Sequence, residues 1–202
     1  MFSPRSIPNL LGLFRIIFTP LLVWLVLAGD TNRYIWVVVL LILMAISDIV
    51  DGRLARQLKV VSPLGVFLDT ISDKIFVTGV LIPMVERDLL SSWVAFTIIV
   101  RDFAISGLRS YAATEGQVIA AGTWGKQKMT ITVVALVWRL LAASAEVAPG
   151  GLAALGLVGT LLNLWPAVIG LALIWTVGSG LEYIWRAWPM LRNSWEPREI
   201  EN

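Results

Sequence analysis

The stretch SDIVDGRLARQLKVVSPLGVFLDTISDK, residues 47–74, places four aspartates between two long apolar segments. Asp48 and Asp51 are three residues apart, so they share one face of a helix. Asp69 and Asp73 are four apart, and the same holds for them. Carboxylates among apolar segments are costly, and four of them brought together repel one another unless cations are present. The stretch therefore predicts two helices that meet at a site for hard divalent cations.

The composition of the whole chain is that of a membrane protein. Of its 202 residues, 57% are hydrophobic and 15% are charged, and the mean hydropathy is +0.80. A soluble domain of this length has no core large enough to bury so much apolar surface. Cysteine and histidine are both absent, which excludes disulfides, thiolate metal sites and cysteine or histidine nucleophiles. A metal must therefore be bound by oxygen, and a general base must be a carboxylate, a lysine or a tyrosine.

Six apolar segments are long enough to cross a bilayer, which takes about 20 residues each. The sequence thus predicts an all-α polytopic membrane protein with six transmembrane helices, preceded by a short interfacial segment at residues 1–9. No repeat or low-complexity tract divides the chain, so we expect one domain over residues 1–202. The glycine-rich residues 149–163 fit either a re-entrant or interfacial piece or an extension of the last helix. The six segments are 11–29, 34–51, 68–86, 91–111, 127–147 and 165–187.

The positions of lysine and arginine predict the orientation in the membrane. If the N-terminus is cytoplasmic, ten basic residues fall on that side and only Arg33 and Arg87 fall on the other. We therefore expect both termini and the aspartate-rich connection to face the cytoplasm. The N-terminal residues lack the unbroken apolar core of a signal peptide, so the simplest location is a bacterial cytoplasmic membrane. Arg139 lies towards the middle of its segment, and the sequence indicates no partner for it.

The aspartates belong to a longer pattern of small and basic residues at fixed spacing. This pattern resembles, at every defined position, the signature of the CDP-alcohol phosphotransferase family of membrane enzymes. The resemblance implies that an alcohol hydroxyl attacks a CDP-linked lipid at its lipid-side phosphorus and that CMP leaves. The pattern reads Asp48-x-x-Asp51-Gly52-x-x-Ala55-Arg56, eight residues, Gly65-x-x-x-Asp69-x-x-x-Asp73.

The resemblance also implies a role for each residue of the pattern. Two divalent ions, Mg²⁺ or Mn²⁺, would be the cofactors, and Asp73 would both contact metal and act as the catalytic base. The implied metal ligands are Asp48, Asp51, Asp69 and Asp73. The implied CDP-binding residues are Asp51, Gly52, Ala55, Arg56 and Gly65.

A second polar set lies in the fourth segment and the loop that follows it. Arg101 and Arg109 are eight residues apart, about 80° from eclipsed on a helix, so both fit on one broad basic face. This face predicts a pocket for a phosphate group on the acceptor alcohol. The simpler alternative is orientation charge or binding of anionic lipid. The residues assigned to the pocket are Arg101, Arg109, Lys126 and Lys128, and the resemblance places Asn9 and Arg15 at its border.

Within the family, residues 6–16 and 101–128 are most similar to the members that use glycerol 3-phosphate. The resemblance thus implies phosphatidyl transfer from CDP-diacylglycerol to glycerol 3-phosphate by a homodimer among membrane lipids, with no nucleic acid partner. One alternative is the same chemistry with another acceptor, such as inositol phosphate. An alternative from another class is a divalent-cation transporter. A transporter would spread its acids across the depth of the bilayer, whereas the predicted aspartates lie at one cytoplasmic edge.

Overall fold

The computed structural model describes residues 7–58, 63–117, 119, 122–147 and 156–193. All the regular structure in these residues is helical, which confirms the predicted fold class. The long helices correspond one to one with the six predicted segments. The helices are α1 (Ile7–Ala28), α2 (Thr31–Leu58), α3 (Pro63–Glu86), α4 (Ser92–Thr114), α5 (Thr123–Val147), α6 (Leu157–Leu162) and α7 (Trp165–Asn193).

The six long helices pack side by side in a closed ring. Around the ring, α1 contacts α2, α2 contacts α5, α5 contacts α7, α7 contacts α4, α4 contacts α3, and α3 contacts α1. Buried apolar side chains such as Leu22, Phe76 and Leu136 fill the space between them. Helices that are neighbours in the ring are not always neighbours in the chain. The ring therefore brings polar residues of α1, α2 and α3 close to polar residues of α4, α5 and α7.

The surface of the ring is apolar, as the sequence predicts for a membrane protein. Trp24, Ile82 and Ile174 are each more than half exposed, and hydrocarbon would cover such side chains. Within the described residues, four helical stretches are long and apolar enough to cross a membrane. Helices α3 and α4 have 24 and 23 residues, which is also sufficient length, but they carry charged side chains of the polar region. The six-span count therefore stays a prediction. The four stretches are Asn9–Ala28, Asn32–Leu54, Gln127–Val147 and Leu157–Arg192.

Two connections lie together at one end of the ring. Gly29 ends α1 with a φ of 61°, a left-handed conformation that glycine adopts without strain. A Cβ atom at Gly29 would overlap the guanidinium group of Arg87, which follows α3. The α1–α2 and α3–α4 connections are therefore neighbours. This agrees with the prediction that Arg33 and Arg87 lie on one side of the membrane.

Several helix ends differ from the sequence prediction by three residues or more. Residues 7–9, predicted as interfacial, form the first turn of α1, and residues 1–6 lie outside the described residues. Asp51 does not end α2, which continues to Leu58 because leucine, alanine, arginine and glutamine favour helix. Helix α3 begins at Pro63, since proline suits the first helical position. The predicted connection between the two aspartate pairs is consequently shorter than expected.

Residues 156–164 answer part of the question left open for the glycine-rich segment. Helix α6 has six residues, and a turn at residues 163–164 separates it from α7. It packs against α5, with Leu162 buried beside Ala142. The described part of the segment is therefore a separate short helix and not an extension of α7. Residues 148–155 lie outside the described residues.

Arg139 has partners that the sequence did not indicate. Its Nε donates a hydrogen bond of 2.8 Å to the carbonyl oxygen of Leu89, which follows α3. Its Nη1 donates to Glu146 Oε1 at 3.1 Å, and the guanidinium carbon lies 4.3 Å from the centre of the Trp165 ring. This buried arginine therefore ties α5 to the α3–α4 connection and to the start of α7.

Candidate active site

Arg15 of α1 lies among the four aspartates of the motif. Its Nη2 donates to Asp51 Oδ2 at 2.8 Å and to Asp69 Oδ1 at 3.3 Å. Its Nη1 donates to Asp48 Oδ1 and lies 3.3 Å from Asp73 Oδ1. The arginine side chain is fully buried. We call the four aspartates the acidic cluster.

The acidic cluster forms because α2 and α3 run in opposite directions on either side of a short connection. The first pair of aspartates lies in the second half of α2, and the second pair lies in the first half of α3. The spacings of three and four residues then turn both members of each pair to the same side. The two pairs of aspartates therefore meet in the structure, as their spacing led us to expect.

The acidic cluster fits divalent cations. Asp48, Asp51 and Asp69 each offer a carboxylate oxygen, and these oxygens lie within 4.8 Å of one another. Four carboxylates face one guanidinium group, which leaves an excess of negative charge. Within the described part of the chain, Asp51 Oδ1 and Asp73 Oδ1 are buried and accept no hydrogen bond. Buried oxygens of this kind are expensive unless a proton or a cation satisfies them, and hard oxygen ligands suit Mg²⁺ and Mn²⁺.

A cavity of about 220 Å³ lies between the acidic cluster and α4 and α5. One side is mainly acidic, although Lys74 of α3 also lines it, and the other side is mainly basic; we call them the acidic wall and the basic wall. Arg101 and Arg109 both line the basic wall, as their spacing on one helix face predicts. A ligand with an anionic end would thus have room beside the carboxylates. The acidic wall comprises Asp48, Asp69 and Asp73, and the basic wall comprises Arg101, Arg109 and Lys128.

Asp102 organises the basic wall. Lys128 Nζ donates to Asp102 Oδ1 at 2.7 Å and to its Oδ2 at 2.5 Å. Arg101 Nη1 donates to the same Oδ1 at 3.2 Å, and Arg101 Nη2 donates to Ser179 Oγ of α7 at 3.1 Å. The guanidinium carbon of Arg109 lies 5.9 Å from the centre of the Tyr183 ring. Helices α4, α5 and α7 are therefore held together at this wall.

Small residues on α7 allow this close approach. A Cβ atom at Gly180 would lie 3.1 Å from Arg101 Cγ, and one at Gly178 would lie 2.8 Å from the Trp124 ring. The Trp124 ring stacks on Trp175 with 4.9 Å between the ring centres. A larger side chain at either glycine would move the start of α5 or the Arg101 side chain, so the glycines help to place the basic wall.

The structure places some predicted site residues differently from the resemblance. Arg15, expected at the border of the acceptor pocket, contacts all four carboxylates of the acidic cluster, whose negative charge attracts its guanidinium group. Asn9 lies about 9 Å from Arg15 along the axis of α1. Neither residue is among the described residues that line the cavity. Lys126 belongs to α5, and its side chain lies outside what the structure describes.

The predicted CDP-binding residues flank the acidic cluster on the chain. Gly52 is in α2 and Gly65 is in the first turn of α3, and both are partly buried. Ala55 and Arg56 lie in the last turns of α2, and their side chains are outside the described part of the structure. The CDP-binding assignment therefore stays a prediction.

Two residues that hold Arg101 in place, Asp102 and Ser179, were given no role from the sequence. Asp102 is adjacent to Arg101, and its place inside a predicted basic face could have singled it out. Ser179 lies in an apolar helix, and no pattern distinguishes it. Their roles depend on contacts between helices that are far apart in the chain.

Comparison with known proteins agrees with the motif. The sequence model of the CDP-alcohol phosphatidyltransferase family matches residues 5–177. A Bacillus subtilis protein named CDP-diacylglycerol–glycerol-3-phosphate 3-phosphatidyltransferase is 34% identical over 94% of this chain and 98% of its own length. An Escherichia coli K12 protein of the same name is 34% identical over 79% of this chain and 90% of its own length. The chain thus belongs to the CDP-alcohol phosphatidyltransferase family.

Proposed function

We propose that the chain transfers the phosphatidyl group of CDP-diacylglycerol to glycerol 3-phosphate and releases CMP. The observation that carries this proposal is the cavity between the two walls. It sets a carboxylate cluster suited to a metal-bound pyrophosphate beside basic side chains suited to an acceptor phosphate. The names of the bacterial relatives support the same acceptor.

The acidic cluster holds two divalent ions, Mg²⁺ or Mn²⁺, in this proposal. Asp48, Asp51 and Asp69 are the ligands, and Asp73 contributes a further contact. When bound, the ions neutralise charge on the pyrophosphate and on the leaving CMP. The three helices that carry the cluster and Arg15 pack closely, so the protein fixes the positions of the carboxylates before the substrate arrives.

Asp73 takes the proton from the acceptor hydroxyl. The hydroxyl oxygen forms a bond to the lipid-side phosphorus, the bond from that phosphorus to the CMP oxygen breaks, and CMP leaves with the electron pair. The proton passes to the Asp73 carboxylate, which lines the same cavity as the basic wall. The transfer in this proposal is one direct displacement, because the chain has no histidine that could carry the phosphatidyl group and the aspartates of the site are assigned to metal binding and to proton transfer.

The basic wall binds the phosphate of the acceptor. Arg101, Arg109 and Lys128 can donate several charge-assisted hydrogen bonds to phosphate oxygens. An uncharged acceptor alcohol would make no use of them. Binding the phosphate at this wall directs the acceptor hydroxyl towards Asp73 across the cavity.

The enzyme works in a bacterial cytoplasmic membrane with the site facing the cytoplasm. The Lys/Arg distribution supports this orientation, and the apolar surface of the ring supports the membrane setting. The acyl chains of the donor stay in the bilayer while its headgroup reaches the cavity. The proposal includes a homodimer, on the resemblance alone, and six membrane spans.

The first test is CMP release by the purified protein in detergent with CDP-diacylglycerol and Mg²⁺ or Mn²⁺. The acceptor panel is glycerol 3-phosphate, inositol 1-phosphate, serine, inositol and phosphatidylglycerol. We expect metal-dependent release only with glycerol 3-phosphate, and no labelled phosphoprotein on rapid quenching. Release with inositol 1-phosphate would keep the chemistry and change the acceptor. A folded protein that binds CDP-diacylglycerol but releases CMP with none of the acceptors would contradict the proposal.

A further inference from the structure

Asp102 is a carboxylate within the basic wall of the cavity. It accepts hydrogen bonds from Lys128 at 2.7 and 2.5 Å and from Arg101 at 3.2 Å. A negative charge at this place reduces the attraction of the wall for an acceptor phosphate. Its presence therefore calls for a physical reason beyond phosphate binding.

The reason lies on the opposite wall. The acidic cluster attracts any cationic side chain that can reach it, and Arg15 contacts all four of its carboxylates. Arg101 and Lys128 line the same cavity as Asp73, and the negative charge of Asp73 acts on the Lys128 ammonium group. Both side chains are long and have many rotamers. Without a partner on their own wall, they would turn towards the acidic cluster, as Arg15 does.

We infer that Asp102 is a positioning residue that holds Arg101 and Lys128 on the basic wall. It thereby keeps the carboxylates available to divalent cations and the two basic groups available to a phosphate. Ser179 also helps to hold Arg101 on the basic wall, because its Oγ accepts a hydrogen bond of 3.1 Å from Arg101 Nη2. The role of Asp102 in acceptor binding rests on the proposed function. Its role in metal binding rests only on the acidic cluster.

The charge of the wall agrees with this assignment. Arg101, Arg109 and Lys128 carry three positive charges, and Asp102 carries one negative charge, which leaves a net charge of two. A phosphate monoester near neutral pH carries close to two negative charges. With Asp102 present, the net charge of the wall therefore matches the charge of the acceptor phosphate. Asp102 also keeps Arg101 and Lys128 in place when no acceptor is bound.

The test is Asp102→Asn in the full-length purified protein, with two measurements. The first is binding of Mn²⁺, followed by the electron paramagnetic resonance signal of the free ion, which needs no turnover. The second is the KM for glycerol 3-phosphate in the CMP-release assay. We expect the Mn²⁺ dissociation constant and the KM each to rise about tenfold, because the freed cations occupy the carboxylates and leave the phosphate pocket. At saturating metal and acceptor, kcat should change by less than about threefold.

Two further variants make the test specific. Ser179→Ala removes one hydrogen bond from the Arg101 guanidinium to an uncharged hydroxyl, a weaker partner than the Asp102 carboxylate, so both constants should move in the same direction by about twofold to fivefold. Glu146→Gln also removes a carboxylate partner of a buried arginine, Arg139, but outside the cavity, and should leave both constants unchanged. If Asp102→Asn does not fold, Ser179→Ala decides the question.

Unchanged Mn²⁺ binding in the folded Asp102→Asn and Ser179→Ala proteins would overturn the inference. A lower KM in Asp102→Asn would also overturn it, because Asp102 would then compete with the acceptor instead of positioning its ligands. If the unaltered protein showed no turnover, the proposed function would fail, but the Mn²⁺ measurement would still decide the role of Asp102.

Discussion

Arg15 and Arg139 are both buried arginines in helices of the ring, but their surroundings differ. Arg139 is satisfied by a carbonyl oxygen, one carboxylate and an aromatic ring, and these partners tie together three parts of the chain. Arg15 faces four carboxylates, and two buried oxygens beside it accept no hydrogen bond within the described residues. The first arrangement is electrically balanced. The second carries an excess of negative charge that only further cations can neutralise.

The difference separates a structural contact from a functional site. Removing the buried arginine from such a satisfied set of partners destabilises the fold, and no ligand in solution can replace the missing group. An unsatisfied cluster is held in place by the surrounding helices, and its stability depends on what binds to it.

Asp69→Asn should lower kcat by at least about a thousandfold, because a ligand that stabilises charge in the transition state contributes several kcal/mol. It should also weaken Mn²⁺ binding. The measurement is CMP release at increasing metal concentration. The matched control is Asp88→Asn, the same chemical change at an exposed residue in the α3–α4 connection, which should behave like the unaltered protein. Full activity in Asp69→Asn would remove the acidic cluster from the mechanism.

Arg15→Met should destabilise the protein in the presence of EDTA by about 3–5 kcal/mol, because it leaves four carboxylates close together without a cation. Addition of Mn²⁺ should restore most of the loss. Thermal unfolding in detergent, with and without Mn²⁺, measures both effects. Arg139→Met is the matched control at the balanced arginine, and we expect Mn²⁺ to raise its stability only as much as that of the unaltered protein, so that its deficit remains. Equal recovery in the two variants would contradict the contrast between the two sites.

Arg109→Ala should raise the KM for glycerol 3-phosphate about tenfold and leave the KM for CDP-diacylglycerol unchanged, because it removes a charge-assisted hydrogen bond to the acceptor phosphate only. Steady-state kinetics with each substrate varied in turn measures both constants. If neither the acceptor KM nor kcat changed, Arg109 would have no part in the pocket and its charge would serve orientation or lipid binding.

Glu146→Gln should have the smallest effect, a loss of less than about 1 kcal/mol with unchanged kinetic constants. The Glu146 side chain is half exposed, and such ion pairs contribute little. Thermal unfolding together with the CMP-release assay checks both statements. A marked loss of activity would mean that the Arg139 contacts are coupled to the cavity across the ring.

The sequence by itself determined the helical membrane class, the six long helices and the acidic cluster. Long apolar segments can satisfy their backbone in a bilayer only as helices, and the spacings of Asp48, Asp51, Asp69 and Asp73 place each pair on one helix face. Helix ends were less well predicted. The continuation of α2 to Leu58 depends on local helix preference, which hydropathy does not report.

Only the tertiary structure decided which polar side chains meet. Arg15 joins the acidic cluster, Asp102 holds Lys128 and Arg101, and Arg139 finds Leu89 and Glu146. Most of these contacts join helices that are distant in the chain, and they depend on the order of the helices around the ring and on how each one is rotated. Apolar periodicity is weak in helices that face lipid on one side and an apolar core on the other, so the sequence leaves that order and those rotations undetermined.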